Sequence, residues 1–264
     1  MKKMNTDSFF RKGYSHQICE DYALNENQNL FTFIVSDGCS NSEHTDIGSR
    51  LLSWSAKEVI SSVGEEIINL SPSRIGNMII DKAFISVKNL NIPARSLDAT
   101  LLLGFYNKND NKVHVLIFGD GAIFFKNKNE DFDYKIFEYS KNYPFYLSYL
   151  LYSDGLDKFN EKEQKKIIKT KNSEKECDSL YVSKYSFDVE CLEWLFISTD
   201  GVESVFNIKD FDKIEEDKLY NELTSFKNYN GEFIKRRMKR AFKNLNKEDF
   251  DSEDDFSIAG INIQ

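Results

Sequence analysis

The sequence predicts a mixed α/β layered domain. Short β-branched and aromatic runs bounded by turn residues read as buried strands, and longer stretches with apolar residues at helical spacing read as amphipathic helices. Their order is the third observation. Strands, two long helices, more strands, then helices and a closing strand call for sheet packed against helix.

Strand candidates lie at residues 30–36, 98–106, 112–118, 121–126, 132–139, 179–187, 193–199 and 255–263. The polar stretch Asn107-Lys108-Asn109-Asp110-Asn111 joins the second to the third as a hairpin loop. A first helix spans about 45–63 and stops at Gly64. A second starts with Ser71 as N-cap and Pro72 at the first position, where a missing N–H costs nothing. Its Ile75, Ile79, Ala83, Val87 and Leu90 share one face. A third, 231–246, aligns Ile234, Met238, Ala241, Phe242 and Leu245 and also carries Lys235, Arg236, Arg237, Lys239, Arg240 and Lys243. A solvated basic face offset by the acidic tail is preferred there over a nucleic-acid or acidic-partner surface. Within 127–178, the aromatic stretch 143–152 and the charged stretch 161–176 read as a strand followed by a surface helix.

With 264 residues, 41% hydrophobic and three prolines, the chain can bury a sizeable core. A formal charge of −8 disfavours nucleic acid as a main partner. No apolar leader region follows Met1-Lys2-Lys3-Met4, and no stretch approaches the roughly 20 apolar residues of a membrane span, so neither membrane nor export is expected. Cys19, Cys39, Cys177 and Cys191 show no metal-type spacing, which suits a reduced cytoplasm.

The chemistry sits at strand ends. Three apolar runs close on Asp-Gly: Asp37-Gly38, Asp120-Gly121 and Asp200-Gly201. Asp254-Asp255 opens a fourth run, and Glu20-Asp21 precedes a short apolar stretch. Carboxylates gathered at one sheet edge repel each other, and a divalent cation with oxygen ligands relieves that repulsion. The plainer reading is a turn, because Asp-Gly tolerates positive φ, and Asp154-Gly155 offers an internal control. No Cys-x5-Arg loop and no Gly-x-Ser-x-Gly elbow is present, so thiol-phosphatase and serine-hydrolase chemistry lack their motifs.

In order, these segments resemble the metal-dependent protein phosphatases of the PP2C type. The resemblance is carried by Gly13-Tyr14-Ser15-His16 with Cys19-Glu20-Asp21-Tyr22, then Val35-Ser36-Asp37-Gly38-Cys39 with Gly48-Ser49-Arg50-Leu51. It continues through Asp98-Ala99-Thr100-Leu101-Leu102, Phe118-Gly119-Asp120-Gly121, Ser198-Thr199-Asp200-Gly201-Val202 and Asp254-Asp255-Phe256-Ser257. It covers nearly the whole chain except 127–190, and is closest to the bacterial branch in which a His replaces the first-motif Arg.

The resemblance implies an α/β (α+β) fold: a four-layer α-β-β-α sandwich of two mostly antiparallel sheets flanked by helices. It implies one catalytic domain over 8–264, with a variable flap around 127–190. It also implies hydrolysis of phosphoserine and phosphothreonine in proteins by a water bridged between two divalent cations, Mg²⁺ or Mn²⁺. Asp37 would bridge both ions, the Gly38 carbonyl would bind one, and Asp200 and Asp254 the other. Glu20 and Asp21 would act largely through water, and Asp120 is a candidate for a weaker outer ion. Asp255 would stand behind Asp254. His16 would touch the substrate phosphate, its plainer reading being an ordinary loop residue. The expected partners are a phosphorylated protein and a cognate Ser/Thr kinase or its target, in cytoplasmic signalling.

Three departures from the family pattern stand out. Cys39 occupies a position where a His is common, with His44 near the helix start. Ser204 stands where an acidic residue helps hold a third metal, and His16 replaces an Arg. They motivate the alternative of a phosphoprotein-binding or regulatory pseudophosphatase with little turnover. A small phosphorylated metabolite as substrate is a further alternative.

Overall fold

The computed structural model describes residues 3–27, 30–177 and 179–264; Met1 and Lys2, part of the stretch read for a leader, lie outside them. The chain opens with β1 (Met4–Arg11), β2 (Tyr22–Glu26) and β3 (Thr32–Ser36), then α1 (Thr45–Val63) and α2 (Pro72–Leu90). There follow β4 (Leu101–Asn107), β5 (Lys112–Phe118), β6 (Gly121–Asn127) and β7 (Phe132–Tyr139). The middle region holds α3 (Gly155–Asn160), β8 (Lys166–Thr170), β9 (Ser173–Glu176) and β10 (Ser183–Asp188). The last part comprises β11 (Leu192–Ser198), β12 (Val205–Asn207), α4 (Glu216–Thr224), α5 (Phe233–Asn246), β13 (Phe250–Ser252) and β14 (Phe256–Ile263).

Two antiparallel sheets form the centre. One has the order β1-β14-β11-β6-β7-β8-β9 and the other β10-β5-β4-β3-β2; β12 and β13 pair separately. Residue alternation explains why both sheets are covered on both faces. Along β3, Phe33 and Val35 face the space between the sheets while Ile34 faces α1 and α2. Along β11, Leu195 and Ile197 face inward while Trp194 and Phe196 pack under α4 and α5. Strands buried on two sides read as continuous apolar runs, which is how these runs appear in the sequence. Each fully buried Leu, Ile or Phe contributes about 1.5–3 kcal/mol. The result is the expected α-β-β-α sandwich.

Local signals set the early helices. Ser71 Oγ accepts the Arg74 N–H at 3.2 Å, so the read N-cap is real. His44 takes the cap position of α1 in a left-handed conformation, without a side-chain cap. The expectation for the middle region fails on both counts. The aromatic stretch 143–152, read as a strand, instead holds a short helical turn at Leu147–Leu151. The charged stretch 161–176, read as a surface helix, holds strands. It forms β8 and β9 at the sheet edge, where charged side chains can face water along an unpaired strand. Two strands start three or more residues later than read, at Leu101 and Ser183. β1, β2, α3, α4, β12 and β13 were not anticipated as elements.

Candidate active site

The three Asp-Gly pairs are not hairpin turns. Gly119 (φ 104°) and Gly121 (φ 123°) let the chain cross from β5 in one sheet to β6 in the other, with Asp120 buried between them. Asp37 follows β3 and is pinned to the start of β4: Thr100 N–H donates to its carbonyl at 2.9 Å, and its own N–H reaches Thr100 Oγ1 at 3.3 Å. Asp200 opens a one-turn helix directly after β11. Asp154-Gly155, the control, opens α3 with Asp154 paired to Lys158 at 2.6 Å, away from the other aspartates.

Asp255 ties the N-terminal loop to this edge. Its carboxylate accepts the Gly13 N–H at 2.8 Å and the Glu20 N–H at 2.5 Å. The approach is close enough that a Cβ on Gly13 would lie 2.3 Å from the Asp254 backbone. On the other side of the same strand end, a Cβ on Gly201 would fall 1.8 Å from the Asp255 carbonyl oxygen. Glu20 is then held by Thr45 Oγ1 at 2.6 Å and Ser40 Oγ at 2.8 Å. Asp254 is positioned by its N–H to Ser204 Oγ at 3.2 Å, so Ser204 acts here through the backbone of the neighbouring loop.

These contacts bring Asp21, Asp37, Asp120, Asp200 and Asp254 around one volume. Asp37 is held well above the usual carboxylate range, first by burial and then by Asp21, Asp200 and Asp254. Asp200 is likewise raised by burial and by Asp120, Asp254 and Asp21. Burial lifts Asp21 to about 7 and Asp120 to about 6. Asp254 is raised by burial, against the pull of the Asp255 N–H and His16. A cleft of about 300 Å³ opens beside them, lined by Asp120, Glu138, Tyr139, Asp200, Glu203 and Asp254.

One oxygen carries particular weight. Asp21 Oδ2 accepts the Thr199 hydroxyl at 2.7 Å, but Asp21 Oδ1 is buried with no donor, and the carboxyl group next to it is Asp37. Two facing carboxyls are satisfied by a shared proton, a bridging water or a cation. The donors present are hard oxygens, which suit Mg²⁺ or Mn²⁺. Among the described residues, no group of three or more His, Cys, Asp or Glu side chains is placed so that it could hold a metal ion as it stands.

The ring of His16 does not face the cleft freely. Nε2 lies 3.2 Å from Asp254 Oδ1 and Nδ1 3.2 Å from Asp255 Oδ2. Cys39 lines a second cavity of about 350 Å³ with Arg95, Asp98, Tyr146 and Tyr149. Asn142 borders both cavities, so the segment after β7 forms a shared wall. Thr199, Thr100, Glu138 and Lys166 escaped sequence reading; only the first two had a signal, as β-branched hydroxyls next to an aspartate motif or opening a strand.

A profile of the family described as Protein phosphatase 2C matches residues 12–253. No curated protein matches the sequence at a significant level. Among solved structures, a bacterial serine phosphatase is 11% identical over 99% of this chain and 98% of that one, with a TM-score of 0.58. The serine/threonine phosphatase Stp1 from Staphylococcus aureus is 12% identical over 99% and 96%, at 0.57. PppA, a regulatory component of T6SS in Pseudomonas aeruginosa, is 11% identical over 99% and 98%, at 0.53. At these identities the likeness shows the fold, an architecture that the sheets and helices above share. The family match over nearly the whole length adds the chemistry: the chain belongs to the protein phosphatase 2C family and is a PP2C-like serine/threonine phosphatase.

Proposed function

We propose that this chain removes phosphate from phosphoserine and phosphothreonine in proteins with the help of two divalent cations, Mg²⁺ or Mn²⁺. Asp37, the Gly38 carbonyl, Asp200 and Asp254 would hold them, with Glu20 and Asp21 as outer carboxylates and Asp120 facing a weaker third position. The observation that carries this reading is the buried, donorless Asp21 Oδ1 beside Asp37. When bound, such cations supply Lewis acidity and an activated water.

The chain's own groups do the rest. Thr199 orients Asp21, Thr45 and Ser40 orient Glu20, and Asp255 locks the loop that carries both acids. His16, placed between Asp254 and Asp255, keeps the 13–21 loop against the start of β14. Contact between His16 and a phosphate oxygen would require one of those two ring contacts to open. The wall after β7 would select among phosphoproteins, within one catalytic unit spanning 8–264. A cognate Ser/Thr kinase or its target is the natural counterpart in a cytoplasmic signalling pair.

The test is phosphate release from a phosphothreonine peptide, with Mn²⁺ titrated in after EDTA treatment and Asp200→Asn as the control. Metal-dependent release lost in the variant supports the reading. A folded protein that binds the phosphopeptide without releasing phosphate overturns it in favour of a binding module.

A further inference from the structure

The acidic tail expected to neutralise α5 is engaged elsewhere. Glu248 pairs with Lys218 at 2.5 Å, Asp249 with Lys209 at 2.5 Å and Asp251 with Arg11 at 2.8 Å, while Asp254 and Asp255 face His16. Around α5 itself, Lys235 is matched by Glu232 and Arg237 by Glu222. Among the described residues, no carboxylate lies within ion-pair distance of Lys227, Arg236, Lys239, Arg240 or Lys243. A protein of net charge −8 therefore leaves Arg236, Lys239, Arg240 and Lys243 of α5 without a carboxylate partner, Arg236 being held by the neutral oxygens of Asn228 and Asn230.

Those cations border apolar hollows. A cavity of about 420 Å³ beside the first half of α5 has Phe226 and Phe233 in its wall and Arg236, Lys239 and Arg240 around it. A shallower one of about 640 Å³ beside the second half has Phe9, Phe10 and Phe242 with Lys239, Lys243 and Lys247. Lys239 borders both, so the two are consecutive along the helix. From Arg236 to Lys247 the helix rises roughly 16 Å, a span an extended chain covers in about five residues.

We propose that this face of α5 is a docking groove for an acidic segment of a protein partner that also carries apolar side chains. Carboxylates would meet the unmatched cations while alternate apolar side chains fill the two phenylalanine-walled hollows. A nucleic acid would supply charge but nothing for the hollows, and the protein's overall negative field opposes a long polyanion. This inference goes beyond the catalytic reading and is measured without turnover.

The probe is a fluorescein-labelled octapeptide alternating Glu with Leu and Phe, followed by anisotropy at low and raised salt. The wild-type protein should bind it, and Lys239→Glu/Arg240→Glu/Lys243→Glu should weaken binding by at least about tenfold. Raised salt, or Ser in place of Leu and Phe, should weaken it too. Turnover of a small aryl phosphate should be unchanged in the triple variant, and Arg240→Gln provides a milder version if the triple variant folds poorly. No binding to wild type, or equal binding by the variants, overturns the proposal. So does an oligonucleotide or a phosphatidylserine vesicle that binds this face while the octapeptide does not.

Discussion

At the sheet edge, Asp21 and Asp120 are buried, Asp37 and Asp200 half-buried and Asp254 stands at the rim, whereas on α5 Lys239, Arg240 and Lys243 stand in water. Both regions gather like charge from a short stretch of space. At the edge, burial raises the pKa of each carboxyl, so repulsion is stored in the folded state and waits for a cation. On the helix, solvent screens the charges and almost nothing is stored. The difference teaches that like-charge crowding reports a ligand site most strongly where water has been excluded.

The contrast predicts effects of very different size. Asp37→Asn and Asp200→Asn should each lower phosphate release by at least about 10²-fold, as loss of one charge-stabilising group commonly does. The same variants should melt higher than wild type without metal, because a buried repulsion is removed. Near-normal release in both would break the comparison at its acidic end.

The pH dependence of metal-free stability comes next. The native state keeps protons on Asp21 up to about 7 and on Asp120 up to about 6, while an unfolded Asp releases its proton near 4. Between those values the native state binds more protons, so stability should fall as pH rises from about 4 to 7. Saturating Mn²⁺ should flatten that slope in denaturant titrations. A metal-free protein that instead gains stability over this range would remove the stored repulsion.

Lys166 provides an intermediate case, a cation buried rather than exposed. It is 0% exposed, its Nζ has no hydrogen-bond partner, and the rings of Phe137 and Tyr139 each lie 5.5 Å away. Burial lowers its pKa to about 8, so above that value the native state has released a proton that the unfolded chain keeps to about 10.4. Stability should therefore rise between about pH 8 and 10, and Lys166→Met should abolish the rise. The same substitution should add on the order of 2 kcal/mol at pH 7. A variant less stable than wild type would mean that Asp120 depends on the ammonium.

The smallest effect belongs to the exposed helix. Lys239→Glu, Arg240→Glu and Lys243→Glu should each change unfolding free energy by less than about 0.5 kcal/mol. A larger loss would show that the basic face is structural.

Much of the scaffold was legible because its signals are local. Ser71-Pro72 and Gly64 mark helix ends within a few residues, and the runs ending at Asp37, Asp120 and Asp200 combine strand composition with a bounding glycine. β1 and the β8–β9 pair were missed for the opposite reason. They lie toward the edges of the larger sheet, where polar and charged residues are tolerated, so composition alone does not distinguish them from a loop or a surface helix. At the site, the acids were legible and the groups that orient them largely were not. Asp21 with Thr199, and Gly13 with Asp255, join opposite ends of the chain.

The sequence by itself determined the two long early helices and most of the buried strands, which strand ends carry an acid, and that the chain resembles a phosphatase. These follow from patterns a few residues long or from their order. Only the tertiary structure decided which charges meet. It sent Glu248, Asp249 and Asp251 to Lys218, Lys209 and Arg11, leaving Lys239, Arg240 and Lys243 of α5 without a carboxylate partner, and it enclosed His16 between Asp254 and Asp255. The physical reason is that Coulomb energy depends on distance and burial, and sheet order sets both.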